Sequence, residues 1–557
     1  MANLADLLGV VSGAQAPSAQ RESFDVDTRS WDTSLAVTDA HNAHGPSAWD
    51  ETYLEKMPPR SAPRVALAVG TDPKLWNYRY MFDKKGARSH GMCLPSRPLD
   101  ERLDEMGDAI RAAFEIDAEY GDPSVWSQES MYTVGRICAR IQPPAPGVGE
   151  GAGAEDGAHG ATRLTAGGLV LETSRVVGNG QRVPLVLDPS CRVRYAGLSE
   201  GAQVASLVGL FPGMIVGVRG RNGGGNRFVA EEILVPSPLP HPSSTRMELA
   251  QHQYDEARLA GGDLRLLAAS GPFTDAGDLE FRPWHAFMSY VERMQPDVLV
   301  LTGPFLSERH PLVAACELDV MPAAIFQRHI AHRLQQLLER SPCTRPILVP
   351  STDDVFHKHH AFPQPFIDKT DAALALPKKV YCLPNPSIIY VNELAIGVST
   401  ADVLGDLRRE EVVQRVQSAG AGAAADARDP IVRLVRHVLC QRSFYPVFPP
   451  PPSSTVPLDL SHSQLCALDN VTPDIMLLPT ARAKPFVRLV DSALAVNPGP
   501  LAGDDASGGR TAPSAAFLRV QVRAMPRASV FQGAEREGDM VEHDAAARAR
   551  VELVQTP

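Results

Sequence analysis

Hydrophobic and polar positions divide this chain into four stretches of different rhythm. Residues 1 to about 62 are rich in Ser, Ala, Asp, Asn and Pro with no sustained period. Such a segment cannot bury enough apolar surface to offset the entropy of ordering, so a disordered tail or linker is expected. Alternation begins with RVALAVG, residues 64 to 70, a strand pattern. Leu99, Leu103, Met106, Ile110 and Phe114 then recur at spacings of three and four, predicting a helix from about Leu99 to Phe114. Its polar face carries Asp100, Glu101, Asp104, Glu105 and Asp108. These read as a solvated acidic face, since carboxylates on an open face have no reason to shift pKa.

Between about 127 and 236 the rhythm changes to short strands broken by glycine: MYTVGRICARI, GGLVLET, VPLVL and LFPGMIVGVRGRNGGGNRFVAEEIL. Short strands at this spacing predict a small closed barrel, with the low-complexity stretch 143–162 as a flexible insert after its first strand. GRNGGGN, residues 220–226, lacks the Lys and Ser/Thr that follow a phosphate-cradling loop, and reads as a hairpin turn. From about 264 onward, LRLLAAS, PDVLVLTGPF, RPILVPS, SIIYVNELAIGVST, PDIMLLPT and FLRVQVR alternate with helical segments, one marked by Phe326, Ile330, Leu334 and Leu337. Continuous Val, Leu and Ile runs are buried on both faces, which predicts an α/β sandwich with a central mixed sheet. Residues 411–429, 502–513 and 531–546 read as surface loops.

Composition narrows the function. At 557 residues, with 44% hydrophobic and 21% charged, the chain reads as a soluble globular protein of more than one domain. It has no run near the roughly 20 apolar residues of a membrane-spanning helix, and its start lacks the basic lead and apolar run of a signal peptide, so an intracellular protein without membrane contact is expected. A net charge of -11 argues against a surface that clings to phosphate backbones, so contact with DNA is expected to be weak, local or indirect. Basic residues occur only as pairs such as Lys84-Lys85, Lys378-Lys379 and Arg408-Arg409, which is no self-contained import signal. The eight cysteines, Cys93, Cys138, Cys191, Cys316, Cys343, Cys382, Cys440 and Cys466, stand singly without zinc-site spacing and read as reduced thiols.

In α/β proteins ligands gather at the carboxyl ends of strands. Those ends read Ser270-Gly271-Pro272-Phe273-Thr274, Thr302-Gly303-Pro304-Phe305-Leu306, Val349-Pro350-Ser351-Thr352-Asp353-Asp354 and Leu478-Pro479-Thr480-Ala481. ASGPFT, PDVLVLTGPFLSERH, ILVPSTDDVFH with PQPF, LPNPS, STADVL, HVLCQRSFYPVFPP, PDIMLLPT and VNPGPL, in this order, resemble the B subunits of the DNA polymerase alpha and primase complex. NYRYMFDK and LDERLDEMGDAI resemble that family's helical lead, and LFPGMIVGVRGRN with FVAEEIL the end of its oligonucleotide-binding (OB) barrel. The resemblance covers roughly residues 60 to 557. It implies a tail over 1–62, a helical lead over 63–126 packing on the phosphoesterase-like domain, an OB-fold domain over 127–236, and an inactive calcineurin-like phosphoesterase domain over 237–557. The family's usual helical amino-terminal domain has no room in the short stretch before the match, so the expectation is that it is absent or that the chain is incomplete.

Active calcineurin-like enzymes hold two metals through Asp-x-His, Gly-Asp, Gly-Asn-His and Gly-His-x-His at successive strand ends, because hard cations demand oxygen and imidazole donors. Here those places read Ser270-Gly271-Pro272, Gly303-Pro304, Pro350-Ser351-Thr352 and Pro479-Thr480-Ala481-Arg482. No catalytic, cofactor-binding or metal-ligating residue is therefore expected, and no cofactor. Asp275, His310, Asp353, Asp354, His357, His359, His360 and His437 remain as conceivable relic ligands but read as loop and capping residues. Gln441 to Pro450, QRSFYPVFPP, is either a recognition loop or a rigid loop packed over the core, with Phe444 and Phe448 on the packing side. Asn497-Pro498-Gly499 reads as a strand-end turn. The barrel aromatics Tyr132, Tyr195, Phe211 and Phe228, with Arg136, Arg140, Arg219, Arg221 and Arg227, offer a thin groove for single strands, so protein binding is the expected use.

The resemblance implies a non-catalytic scaffold in the nucleus. It would hold the zinc-bearing C-terminal region of the polymerase alpha catalytic subunit, reach primase through it, and support RNA-DNA primer synthesis at replication initiation and on the lagging strand. The alternative is an active metal-dependent phosphodiesterase or exonuclease.

Overall fold

A computed structural model of the chain describes residues 35–44, 47–49, 62–70, 97–140, 163–196, 207–415, 429–468, 470–503, 515–531 and 540–556. The insert 143–162, the NYRYMFDK motif, Cys93 and most of the stretch 1–62 lie outside these residues.

The glycine-punctuated region folds as a closed five-stranded barrel of Ser127–Ala139, Leu169–Glu172, Arg182–Tyr195, Phe228–Val235 and Ile215–Asn222, in that spatial order. Alternate side chains fill it, among them Ile137, Leu171, Val193, Val216, Val218 and Phe228, all fully buried. The GRNGGGN segment is the hairpin turn between Ile215–Asn222 and Phe228–Val235, with Gly225 at φ 74°.

The helix runs Arg97–Ala113 and covers the outside of this barrel: Leu103, Met106 and Ile110 pack on Val134, Ile215 and Leu234. The 63–126 lead is therefore divided: Leu67–Val69 pairs with Ser387–Val391 and Arg64 with Asp297 in the rest of the chain, whereas the helix packs on the barrel. Helical spacing fixes an apolar stripe but not the surface that receives it. Here Gly217 decides, because a Cβ there would sit 2.9 Å from Ile110 Cγ2.

The rest of the chain forms two face-to-face sheets rather than one central sheet. The seven-stranded sheet runs Val37–His41, Ala549–Gln555, Ala516–Val522, Leu264–Ser270, Val298–Thr302, Arg345–Val349, Tyr381–Cys382, the last four mutually parallel. The six-stranded sheet runs Phe486–Val490, Ala493–Asn497, Ile475–Leu477, Leu394–Val398, Ser387–Val391, Leu67–Val69. Strand parity assigns each side chain its layer. Leu266, Val300, Ile347, Ile396, Ile475 and Leu494 meet between the sheets. Leu267, Leu299 and Leu348 face the helices Arg282–Met294 and His332–Arg340 on the outer side. Met476 and Ala495 point the other way, into a core shared with the Val403–Glu410 and Pro430–Cys440 helices and with the barrel itself.

Several expected loops are strands. Val37–His41 lies within the supposed tail. Val412–Arg415 lies in the supposed loop 411–429 and pairs with Leu207–Leu210. Met540–Glu542, within 531–546, pairs with Ser243–Thr245. Each is short and forms against a distant partner, so local alternation is too brief to mark it.

The joint between barrel and sandwich is polar at its centre and closely packed around it. Gln441, 3% exposed, accepts from Ile215 N at 2.8 Å through Oε1 and donates from Nε2 to Ile215 O at 2.9 Å. Its side-chain amide thus stands in for a neighbouring strand. Gly213, at φ 98°, lets the barrel approach so closely that a Cβ would collide with Phe448 N. Phe448 N donates to Pro212 O at 3.0 Å. Beside them Glu411 Oε1 lies 2.9 Å from His437 Nε2 and accepts from Arg433 Nε at 2.6 Å. Burial pushes the Glu411 carboxyl up, but the hydrogen bonds from His437 and Arg433 outweigh it and hold the carboxyl below its usual value.

Replacing Gln441 by Leu leaves both backbone groups of Ile215 unpaired in a buried place and is expected to lower stability by about 2–4 kcal/mol in urea unfolding. Because the folded Glu411 carboxyl is depressed, its contribution is complete above about pH 4.5 and is lost as pH falls through its folded pKa. An acid titration of wild-type stability should therefore lose a step that Glu411→Gln does not show.

Candidate functional site

The carboxyl ends of Leu264–Ser270, Val298–Thr302 and Arg345–Val349 open on one cleft of about 300 Å³, where sequence reasoning places the chemistry. Ser270, Thr302 and Val349 end these strands in register. The first two strands leave through the cis peptides Gly271-Pro272 and Gly303-Pro304. Gly271 N donates to Thr302 O and Gly303 N to Val349 O, each at 2.9 Å. A Cβ on Gly271 would collide with Pro304 O, and one on Gly303 would collide with Asp354 Oδ2. Glycine is required at both by close approach alone.

Asp354 is fully buried behind these turns. Its Oδ1 accepts from Phe305 N at 2.5 Å and Leu306 N at 3.1 Å, and its Oδ2 from Ser351 N at 2.8 Å. Burial pushes the carboxyl up to about 7, against the lowering pull of the backbone donors. The carboxylate ties two strand-end loops together and does not line the cleft.

On the cleft walls, Arg309 Nη2 lies 3.3 Å from Asp353 Oδ1, and Arg482 Nε lies 3.4 Å from Asp402 Oδ2. Burial raises both aspartates. Arg482 also reaches Asp406 Oδ1 at 3.1 Å, and Asp406 Oδ2 accepts from Tyr445 Oη at 2.8 Å. Asn497 staples the last strand end: its Oδ1 accepts from Thr480 N and Gly499 N at 3.1 Å each, and Gly499 has φ 73°.

Family models match both parts of the chain. One, for the OB domain of the DNA polymerase alpha B subunit, covers residues 96–236, and one, for the B subunit of DNA polymerases alpha and epsilon, covers 266–488. The DNA polymerase alpha B subunit of Schizosaccharomyces pombe is 32% identical over 458 residues, which span 81% of this chain and 70% of that protein. This chain belongs to the family of DNA polymerase alpha B subunits. The Saccharomyces cerevisiae member is 29% identical over 439 residues, 72% of this chain and 56% of its own length, and the Mus musculus member 26% over 477 residues, 85% and 67%. The OB-domain match begins at the Arg97–Ala113 helix, in keeping with that helix packing on the barrel.

In this member of the polymerase alpha B-subunit family the conceivable relic ligands are dispersed among local hydrogen bonds. His310 Nε2 lies 2.9 Å from Asp275 O, His357 Nδ1 2.9 Å from His359 O, and His360 Nδ1 3.0 Å from Thr352 O. His437 belongs to the interdomain joint with Glu411. Among the described residues, no group of three or more His, Cys, Asp or Glu side chains could hold a metal ion. The barrel aromatics are equally engaged: Phe211 and Phe228 are fully buried, and Arg219 lies over Tyr132 at 5.8 Å. Arg136 and Arg182 both pair with Glu172, and Arg221 with Glu231. QRSFYPVFPP packs against the barrel, with Phe444 1% exposed and Arg136 over the half-buried Phe448 ring at 5.6 Å.

Asp402 on the cleft wall and the buried Asp406 behind it are residues that pattern did not single out, and Arg482 was noted only as part of a strand-end motif. An Asp just before a helix is a recognisable N-cap, and Asp402 Oδ1 does accept from Gly405 N at 3.0 Å. The reach of Arg482 to two carboxylates has no local signal. Asp354→Ala strands several buried backbone donors at once and is expected to cost about 3–5 kcal/mol in chemical denaturation, with Asp354→Asn between it and wild type.

Proposed function

We propose that this chain is a non-catalytic scaffold subunit of the polymerase alpha complex. Its barrel and sandwich together grip the zinc-bearing C-terminal region of the catalytic subunit and, through it, hold primase. On this reading it acts in the nucleus, supporting RNA-DNA primer synthesis at replication initiation and on the lagging strand. The sandwich is taken as a calcineurin-like phosphoesterase fold whose strand ends no longer serve metals.

The observation that carries the reading is the chemistry of those ends. Pro272 and Pro304 offer no donor where such enzymes set carboxylate or imidazole, Ser351 and Thr480 offer only hydroxyls, and the nearby Asp354 is consumed by backbone N–H groups. A pair of divalent cations does not fit this donor set, so no hydrolytic step is derived. A shared core and a polar-sealed joint also make barrel and sandwich one stiff body, which suits a platform. Paired arginines on the barrel favour weak or indirect DNA contact.

Co-expression with the C-terminal segment of a polymerase alpha catalytic subunit is expected to give a one-to-one complex on gel filtration. The purified chain with manganese is expected to leave a labelled single strand intact. Failure to assemble with a well-folded partner, or manganese-dependent cleavage that a strand-end substitution abolishes, would sink the scaffold reading in favour of a phosphodiesterase.

A further inference from the structure

The segment nearest the amino terminus among the described residues reaches across an edge of both sheets. Val37–His41 lies antiparallel on Ala549–Gln555 as the outermost strand of the seven-stranded sheet, and Gln555 N donates to Ala36 O at 2.9 Å. Asp39 faces the other sheet: its Oδ2 accepts from Val487 N at 3.0 Å and from Arg488 Nη1 at 2.8 Å. Asn42, at φ 51°, turns the chain, and its Nδ2 donates to Ala546 O at 2.9 Å and Ala549 O at 3.2 Å. Farther on, Ala48 N donates to Gln521 Oε1 at 2.9 Å. Trp49, 5% exposed, enters the outer apolar layer with the Arg265 guanidinium 4.6 Å over its ring.

The segment is unevenly attached. Trp49 anchors it deeply, but the strand is shallow, with Val37 47% exposed. The strand beneath is the opposite, since Val551, Leu553 and Val554 are fully buried. Lifting Val37–His41 would bare the N–H and C=O row of an apolar strand, the kind of edge that pairs with another chain. Two copies related by a twofold axis could satisfy each other's exposed rows, because an antiparallel strand edge is complementary to itself.

We propose that residues 35–44, with 47–49, form a releasable clasp that keeps the chain monomeric, occupying the edge of Ala549–Gln555 that a second copy would otherwise pair with. Asp39 is the latch that ties it to the second sheet, and Trp49 is the anchor.

The test uses the full chain carrying Asp39→Lys and Trp49→Ala, with light scattering over about 1 to 100 µM and amide hydrogen exchange. The wild type is expected to stay monomeric. The double variant is expected to shift to dimers with concentration and, when dilute, to exchange amides of residues 551–554 at least tenfold faster. A synthetic peptide of residues 35–49 added in trans should restore the monomer and the protection. Asp39→Asn, which keeps the fold's packing, should speed exchange of residues 37–41 alone. A double variant that stays monomeric with wild-type exchange overturns the clasp, as does association that the peptide cannot reverse. Unchanged exchange in Asp39→Asn overturns the latch.

Discussion

The side-chain amide of Gln441 hydrogen-bonds both ways with the backbone of Ile215, and everything between barrel and sandwich is arranged around that exchange. A strand on the surface of a closed barrel has no free edge where its backbone turns inward, so a buried N–H and C=O pair there needs a partner or costs free energy. Gln441, at the C-cap of the Pro430–Cys440 helix, supplies one, and the helix is thereby held in one orientation to the barrel. Gly213 brings the chain close enough, and the strand pair Leu207–Leu210 with Val412–Arg415 adds a second backbone tie. The apolar core follows from this fit, running without a break from Val218 and Phe228 in the barrel to Val435 and Met476 in the sandwich.

The strand-end cleft obeys the same economy of polar groups. In a metal-dependent phosphoesterase, carboxylates at strand ends stay open to solvent and cations. Here the deepest one, Asp354, is spent on backbone donors, and the wall carboxylates Asp353 and Asp402 each face an arginine. The cleft is shaped by close packing at Gly271 and Gly303, which brings the two loops together with no space for a larger residue. A site organised this way is a closely packed part of the surface in a member of the polymerase alpha B-subunit family.

Much of this was legible along the chain because it depends on short-range periodicity. The Leu264–Ser270, Val298–Thr302 and Arg345–Val349 strands are dense apolar runs that no exposed element could carry, and the Leu103, Met106 and Ile110 stripe has the helical period. The Gly-Pro turns at the strand ends are visible as letters, and so is their lack of metal donors. The readings that failed had a partner far away in sequence. Val37–His41 looks like tail until the final strand is set beside it, and Val412–Arg415 looks like loop until Leu207–Leu210 is.

The sequence by itself thus determined the strongly periodic strands and helices, where the barrel ends, and which side chains stand at the strand ends, because periods of two and 3.6 residues are local properties of a chain. Tertiary structure alone decided that the apolar runs split into two sheets, that the Arg97–Ala113 helix belongs to the barrel, and that Arg482 and Gln441 serve groups tens or hundreds of residues distant. An apolar stripe or a buried polar group specifies that it must be covered or paired, and only the folded arrangement supplies what does so.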